Sequence, residues 1–362
     1  MYISLVMVVK NEELVLARAL ESFGGANRCW DELVITDTGS TDRTIEIARE
    51  FGARVVEKPW PNSFAEARNM AAAQASPQAD LIFNPDADEV LGPGGDRLRS
   101  RLEECYAAGK RLFGLRYEFA HDEFGNPTLV FPRQDIYDPR LFKFVGRTHE
   151  GLSGPVRPDN TEYLEDITLY HRPKPNHGAV KVGRDLELLK LEVADNPKNS
   201  RTWYYLGREH IYAKNWQEAI DVLSQYLKLS RWTPERMAAR IMIGDAHAAL
   251  GHEPEATAYY TASIMEEPER REPYLALCKY FYELKKWRQC VIWGEATLAI
   301  PDLPPKDGYQ RPVATYTWYP HDLLSIAYYH LGQKEKGRVH LELALSFRPM
   351  DTRLLANRKW FE

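Results

Sequence analysis

Two aspartates one residue apart, Asp86 and Asp88 in Asn84-Pro85-Asp86-Ala87-Asp88-Glu89, are the residues of this sequence best placed to do chemistry. The short apolar run Leu81-Ile82-Phe83 before them reads as a buried strand reaching its carboxyl end. In extended chain, residues two apart project to the same side, which sets the two carboxylates roughly 6–7 Å apart. Like charges that close drive one group toward protonation unless a cation or a donor-rich ligand sits with them. A hard divalent ion, held by one or two carboxylates together with substrate phosphates, meets that requirement. An isolated Asp-x-Asp is more often a solvated turn, so the elements around the pair decide its meaning.

Those elements alternate. Ile3–Val9 reads as a buried strand, and Asn11-Glu12-Glu13 opens a helical stretch that Gly24-Gly25 ends. Leu33-Val34-Ile35 is a second strand, followed by the turn Thr36–Asp42 and a helix over Arg43–Phe51, with Ser40 or Thr41 able to cap it. Arg54-Val55-Val56 is a third strand, Phe64–Ala75 a helix, and Leu81–Phe83 the fourth strand. Strands alternating with helices of this length imply a parallel sheet covered on both faces. Ligands bind such sheets beyond the carboxyl ends of the strands. Lys10-Asn11-Glu12, Asp37 with its Gly39-Ser40 turn, Arg68-Asn69 and Asp86/Asp88 all fall on that one edge. Neither a G-x-G-x-x-G nor a G-x-x-x-x-G-K-[ST] spacing occurs, which argues against dinucleotide and P-loop triphosphate sites.

In succession, Val8-Val9-Lys10-Asn11-Glu12, Asp37-x-Gly39-Ser40-Thr41-Asp42, Ala67-Arg68-Asn69 and Asp86-Ala87-Asp88-Glu89 resemble the motifs of family 2 glycosyltransferases over about residues 1–175. The resemblance implies a GT-A fold and a nucleotide-diphospho-sugar donor, with a UDP-sugar the expected one. It implies that Val9, Asn11, Glu12, Asp37, Gly39, Ser40, Arg68, Asn69, Asp86 and Ala87 line the donor site. Asp37 would bind base or ribose, Asp86 the ribose side, and Asp88 a Mn²⁺ or Mg²⁺ ion bridging the diphosphate. A metal there would neutralise charge as the bond to the leaving group breaks. Arg68 would add a donor, although an arginine on an amphipathic helix is more often in a structural ion pair. Glu89 reads as an acidic residue ahead of the next helix.

The segment 112–171 holds further strand-like pieces, Leu112–Tyr117, Thr128–Phe131, Leu141–Val145 and Ile167–Tyr170. Arg140-Leu141-Phe142 followed by His149-Glu150 is similar to a stretch of the lipopolysaccharide-core and peptide-modifying members of that family. Displacement with inversion needs a carboxylate to take the acceptor's proton. Glu150 is the candidate base, with Asp135, Asp138 and Asp122 as rivals. His171 is a candidate second metal ligand, and a lone histidine at a strand end is more often structural.

Arg172-Pro173-Lys174-Pro175-Asn176 reads as a linker that divides a domain 1–175 from a domain 176–362. Beyond it the pattern is helical from Val180–Ala194 onward. The small positions Ala219, Ala256, Cys290 and Gly337 lie 37, 34 and 47 residues apart, with the insertion 301–312 in the long last gap. This is close to the tetratricopeptide period of about 34. Small residues recur where paired helices cross, and about four such pairs would stack into an array. Most of its aromatic residues, Tyr204, Tyr260 and Tyr280 among them, read as stacking core. The expected architecture is α/β followed by all-α: a Rossmann-like GT-A domain with a mainly parallel sheet, then a TPR-like domain. The repeats would bind an acceptor or join two copies of the chain in a homodimer.

Bulk properties bound the partners. A net charge of −5 without a basic block gives no expectation of nucleic acid. No stretch approaches the roughly 18 apolar residues of a membrane span. Ile3–Val9 has no basic start and is cut off by Lys10–Glu13, unlike a signal peptide. The four cysteines, Cys29, Cys105, Cys278 and Cys290, are scattered and suit buried thiols in a reducing, cytoplasmic compartment. The sequence therefore predicts a metal-dependent inverting glycosyltransferase that transfers a hexose or N-acetylhexosamine to a polypeptide or glycan acceptor. The alternatives are the same chemistry on a cell-envelope glycolipid, or a nucleotide-sugar-binding adaptor without turnover. A nucleotidyltransferase would want a Gly-rich, lysine-bearing phosphate loop, which the N-terminal region lacks.

Overall fold

Every second residue of the first strand belongs to a different core, and this decides the layering. In the computed structural model, which describes residues 1–25, 28–123, 125–175, 184–302, 309 and 311–362, that strand is β1 (Ile3–Val9). Then come α1 (Leu16–Phe23), β2 (Glu32–Asp37), α2 (Thr44–Glu50), β3 (Arg54–Glu57), α3 (Phe64–Ala72), β4 (Leu81–Phe83) and β5 (Glu89–Leu91). They are followed by α4 (Leu98–Ala107), β6 (Leu112–His121), β7 (Pro127–Tyr137), β8 (Lys143–Val145), β9 (Gly151–Ser153), β10 (Thr161–His171) and α5 (Arg184–Asp195). Ile3, Leu5, Met7 and Val9 share a core with Leu16, Leu20 and Phe23 of α1 and with Leu98 and Leu102 of α4. Val6 faces the other way, into a core with Ala65 and Ala71 of α3. Apolar side chains on both faces need cover on both faces, and the helices supply it.

Strand order is β3-β2-β1-β4-β7-β6-β10-β5. The first four strands are parallel, in register Val9↔Asp37 for β1 with β2 and Leu5↔Phe83 for β1 with β4. The expected Rossmann-like sheet is thus present, with β1 and β4 flanking the point where the order reverses, which is where such sheets leave a crevice. Beyond β4 the sheet becomes mixed. β7 runs antiparallel to β4 with Phe83 opposite Ile136, and β10 is parallel to β6 but antiparallel to β5. Three of the strand-like pieces expected between 112 and 171 are longer here because β6, β7 and β10 run on past their most apolar residues, whereas the piece expected over Leu141–Val145 is shortened to β8. Glu89 does not precede a helix. It opens β5.

By its contacts the chain forms two compact units: residues Met1–Ala120 with Val130–Glu192, and His121–Leu129 with Val193–Glu362. The second unit contains α6 (Ser200–Tyr212), α7 (Trp216–Leu229), α8 (Thr233–Ala249), α9 (Glu253–Glu266), α10 (Glu272–Glu283) and α11 (Trp287–Ala299). The short α12 (Val313–Tyr316) precedes α13 (Trp318–His330), α14 (Lys334–Phe347) and α15 (Thr352–Asn357). Asn176, the beginning of the expected helix 180–194 with Val182, and most of the insertion 301–312 lie outside the described residues.

The helices pair as tetratricopeptide-like hairpins, α6 with α7, α8 with α9, α10 with α11 and α13 with α14. Small residues mark each crossing. A Cβ on Gly207 of α6 would run into Leu223 of α7, and one on Gly244 of α8 would stand 2.7 Å from the Tyr260 ring of α9. Ala219, Ala256 and Cys290 are fully buried at the equivalent points on the second helices. In the third pair both positions are cysteines, whose Sγ atoms are 3.7 Å apart. Tyr204, Tyr226, Tyr260 and Tyr280 are buried between helices, whereas Tyr212 is exposed.

One loop position in the first unit is restricted to glycine on two counts. Gly94 has φ +82°, and a Cβ there would overlap the carbonyl oxygen of Asp166. Gly94→Ala should therefore cost about 3 kcal/mol through backbone strain and overpacking together. Urea unfolding of the full chain checks this, and an unchanged midpoint would contradict the close approach.

Candidate active site

The crevice between β1 and β4 is closed at its floor by Asn84, the residue that follows β4. Its Nδ2 donates to Val6 O at 2.9 Å, joining the two strands beyond their last ladder pair. Asn84 N in turn donates to Asp135 O at 2.9 Å, extending the β4–β7 pairing by one residue and bringing the alternate residues Arg133 and Asp135 of β7 beside Asp86.

Here the chain builds a lattice of buried charge. Arg68, on α3, donates through Nε to Glu150 Oε1 (2.6 Å), through Nη1 to Asn84 Oδ1 (2.5 Å), and through Nη2 to Asp86 Oδ1 (2.5 Å). Arg133 donates to the other oxygen of Asp86 (3.0 Å), to Glu89 and to Asp135. Burial opposes ionisation of Asp86, but the two guanidiniums outweigh it and hold the carboxyl well below the usual range. Burial acts unopposed enough at Glu89, which is fully buried, to push its carboxyl well above that range against the pull of Arg133. Asp135 is raised for the same reason. Asp86 is thus an ionised, doubly clamped carboxylate whose two oxygens are both engaged by arginines.

Asp88 stands apart from the lattice. Its Oδ2 is 3.3 Å from His171 Nε2, because the β10–β5 register sets His171 opposite Glu89, the next residue. His171 Nδ1 is 3.0 Å from Phe119 O. A carbonyl can only accept, so Nδ1 carries a proton and Nε2 is the ring nitrogen turned toward Asp88. This is the arrangement that orients a metal-ligating histidine.

At the end of β2, Asp37 is almost wholly buried. Its Oδ1 accepts from Gly39 N (2.8 Å) and Ser40 N (2.9 Å), which the chain permits because Gly39 takes φ +105°. Its Oδ2 is buried and has no hydrogen-bond partner among the described residues. Ser40 Oγ accepts from Asn11 N (2.8 Å), and Asn11 Oδ1 accepts from Thr41 N (2.8 Å), so the turns after β1 and β2 are sewn together. Val9 O accepts from Thr38 N (3.0 Å), and Ala87 is buried between the aspartates. Glu12 Oε1 accepts from Lys174 Nζ at 3.0 Å. Burial raises the Glu12 carboxyl, and Lys174 partly offsets that.

The structure therefore gathers Val9, Asn11, Glu12, Asp37, Gly39, Ser40, Arg68, Asp86, Ala87, Asp88, Glu150 and His171 along one edge of the first unit. Asn69 is directed elsewhere: both ends of its amide bond the backbone of Phe144, at 2.9 Å each, tying α3 to β8. Among the rival bases, Asp138 follows Tyr137, which pairs with Ile82, and so lies toward the amino end of β4, where Arg140 grips both its oxygens at 2.7 Å. Asp122 accepts from Asn126 N at 2.9 Å within the β6–β7 turn. Sequence reasoning passed over Asn84, Glu89, Arg133 and Lys174. The alternation of Phe131, Arg133 and Asp135 along a strand was the available signal for Arg133.

Residues 4–142 match the family model described as Glycosyl transferase family 2. This part of the chain is a family 2 glycosyltransferase domain. The chain has relatives at modest identity: an uncharacterized glycosyltransferase of Rickettsia typhi is 34% identical over 121 residues, 32% of this chain and 37% of that protein. The glycosyltransferase SunS of Bacillus subtilis is 23% identical over 228 residues, 60% of this chain and 51% of that protein. A TPR repeat-containing protein of Synechococcus elongatus is 38% identical over 102 residues, 28% of this chain and 24% of that protein. The chain thus spans between about a quarter and half the length of these relatives.

The buried lattice of the glycosyltransferase domain gives stability a definite pH dependence. Burial raises the native Glu89 carboxyl, so the folded chain holds this proton to a higher pH than the unfolded chain, which releases it above about pH 4.3. Its contribution is therefore full below that pH and is lost as pH rises toward the raised native value. Glu89→Gln removes this titration, so between about pH 5 and pH 7 the variant's urea midpoint should fall less than that of the wild type. Parallel profiles would show that Glu89 is not protonated in the native state.

Proposed function

We propose that the chain transfers a hexose or N-acetylhexosamine from a nucleotide-diphospho-sugar, with inversion, to an acceptor that the TPR-like unit helps to select. The observation that carries this reading is Asp37. A buried carboxylate oxygen without a partner is costly, and at the ligand edge of a family 2 domain it suits an N–H of a nucleobase or a ribose hydroxyl of the donor. Asn11, Gly39 and Ser40 shape the wall beside it. Asp86, with both oxygens already clamped, acts here through its fixed negative charge and its backbone, facing the ribose side.

Asp88 and His171 offer one oxygen and one nitrogen donor, a set that suits Mn²⁺ and, less well, Mg²⁺. Among the described residues no third histidine, cysteine or carboxylate completes a three-ligand cluster, so diphosphate oxygens and water would fill the remaining positions. When bound, such an ion neutralises charge on the departing diphosphate. Glu150 takes the proton of the attacking acceptor hydroxyl or thiol through the oxygen that Arg68 does not hold. The acceptor atom bonds to the anomeric carbon as the bond from that carbon to the diphosphate oxygen breaks, and the electron pair leaves with the nucleoside diphosphate. Arg68 holds Glu150 in place. A polypeptide acceptor fits the stacked helix pairs, an architecture with extended surfaces suited to chains; a cell-envelope glycan is the second acceptor class to test.

Purified protein incubated with UDP- and GDP-sugars and a range of peptide and glycan acceptors should release nucleotide in a manner that depends on Mn²⁺ or Mg²⁺. Absence of turnover with every donor would sink the reading. Asp88→Ala and His171→Ala should each lower kcat at least about a hundredfold with an unchanged unfolding midpoint, and wild-type rates would remove the metal assignment. For Glu150→Gln, transfer should drop about 10²–10⁴-fold while donor binding persists; a smaller loss than that of Asp135→Asn would move the base to Asp135.

A further inference from the structure

The donor diphosphate needs a cation, and the guanidinium that the sequence offers for it is already bound to carboxyl groups on two sides. Every nitrogen of Arg68 already donates to Glu150, Asn84 or Asp86. Arg133 is likewise shared among Asp86, Glu89 and Asp135. Neither guanidinium can turn to a phosphate without giving up a carboxyl group that it holds, Glu150 for Arg68 and Glu89 or Asp135 for Arg133.

The segment after β10 supplies another cation at the same place. His171 meets Asp88, and Arg172 N donates to Asp88 O at 2.8 Å. Two residues later, Lys174 Nζ donates to Asn11 O at 2.8 Å and to Glu12 Oε1 at 3.0 Å. Four residues thus run from Asp88, just before β5, to Asn11 and Glu12 in the segment after β1. Asn11 has φ +55°, a left-handed conformation outside any helix, and its carbonyl is the one that receives the ammonium. The Lys174 side chain is only 24% exposed. An ammonium has three donors; two are used, and among the described residues the third has no acceptor.

We infer that Lys174 is a diphosphate-binding residue of the donor site, its remaining N–H directed to a phosphate oxygen while Glu12 and the Asn11 carbonyl hold the ammonium in place. This rests on the nucleotide-sugar reading above. It assigns to a residue of the segment after β10 the phosphate contact that the sequence motifs suggest for Arg68. The contact is to phosphate, so its worth rises with the number of phosphates on the ligand and is absent for a nucleoside.

The test is direct binding to the full chain by calorimetry, with EDTA present so that no metal bridges the phosphates. The ligands are uridine and guanosine with their mono- and diphosphates, and the proteins are wild type, Lys174→Gln, Lys174→Arg and Lys10→Gln. The expected result for Lys174→Gln is an affinity for the preferred diphosphate lowered about 10–100-fold. Its loss for the monophosphate should be smaller, its affinity for the nucleoside unchanged, and Lys174→Arg should recover most of the binding. Equal losses for nucleoside and diphosphate would mean that Lys174 only supports the loop, and would overturn the inference. So would a loss of the same size in Lys10→Gln, which sits on the same edge but exposed and would act only through the general field. Wild-type protein that binds neither diphosphate, in EDTA or in a parallel titration with Mn²⁺, would overturn the donor reading and this inference with it. Wild-type protein that binds one of them, with Lys174→Gln binding it equally well, would overturn the inference alone.

Discussion

Asp86 sits between two arginines that come from opposite directions, Arg68 on α3 and Arg133 on β7, and the carboxyl edge of the sheet is organised by that clamp. Removing either cation would leave carboxylates buried without a partner, while removing the aspartate would set two guanidiniums against each other. The charges are therefore mutually required, and they fix four chain segments at once: α3, the turn after β4, β7 and the residues around Glu150. A site assembled in this way is rigid before any ligand arrives. That suits a reaction whose barrier is lowered by positioning and by fixed charge more than by movement.

The groups left outside the clamp have unspent bonding capacity. Among the described residues Asp37 Oδ2 has no hydrogen-bond partner, His171 Nε2 and Asp88 Oδ2 face each other across 3.3 Å, and the ammonium of Lys174 has a donor to spare. All three lie at the ends of β1, β2 and β4 or on the segment after β10. The chemistry proposed for this edge follows from the separation between saturated groups that hold shape and unsaturated groups that meet a ligand.

Much of this was legible in the sequence. Alternating apolar runs and helical stretches gave the order of elements, and the rule that ligands meet the carboxyl ends of parallel strands put Asp37, Asp86 and Asp88 together. The helical repeat was readable because Ala219, Ala256 and Cys290 must be small where helices cross. What was not legible depended on pairings between distant strands. Arg133 reaches Asp86 only because β7 returns antiparallel beside β4, and periodicity within one strand carries no information about its neighbour. Lys174 looked like part of a proline-broken linker, since nothing local shows that its ammonium lands on Glu12. Asn69 belongs to an apparent site motif, yet its amide is taken by the backbone of β8, a partner that lies 75 positions away.

The irregularity in β10 has a consequence for how this domain tolerates changes in length. Its pairing with β6 shifts between Leu164 and Thr168 and then resumes through Tyr170, one residue before His171. A strand alternates faces residue by residue, so the bulge acts as a phase adjuster that decides which of two neighbours is presented to Asp88. Deleting one residue inside the bulge would rotate the end of the strand by half a turn and offer Tyr170 or Arg172 in place of the imidazole. Loss of a residue in the exposed turns would leave that phase alone. The stretch 165–168, which carries none of the reacting groups, is therefore the part of the domain where the reading frame of the active site is kept.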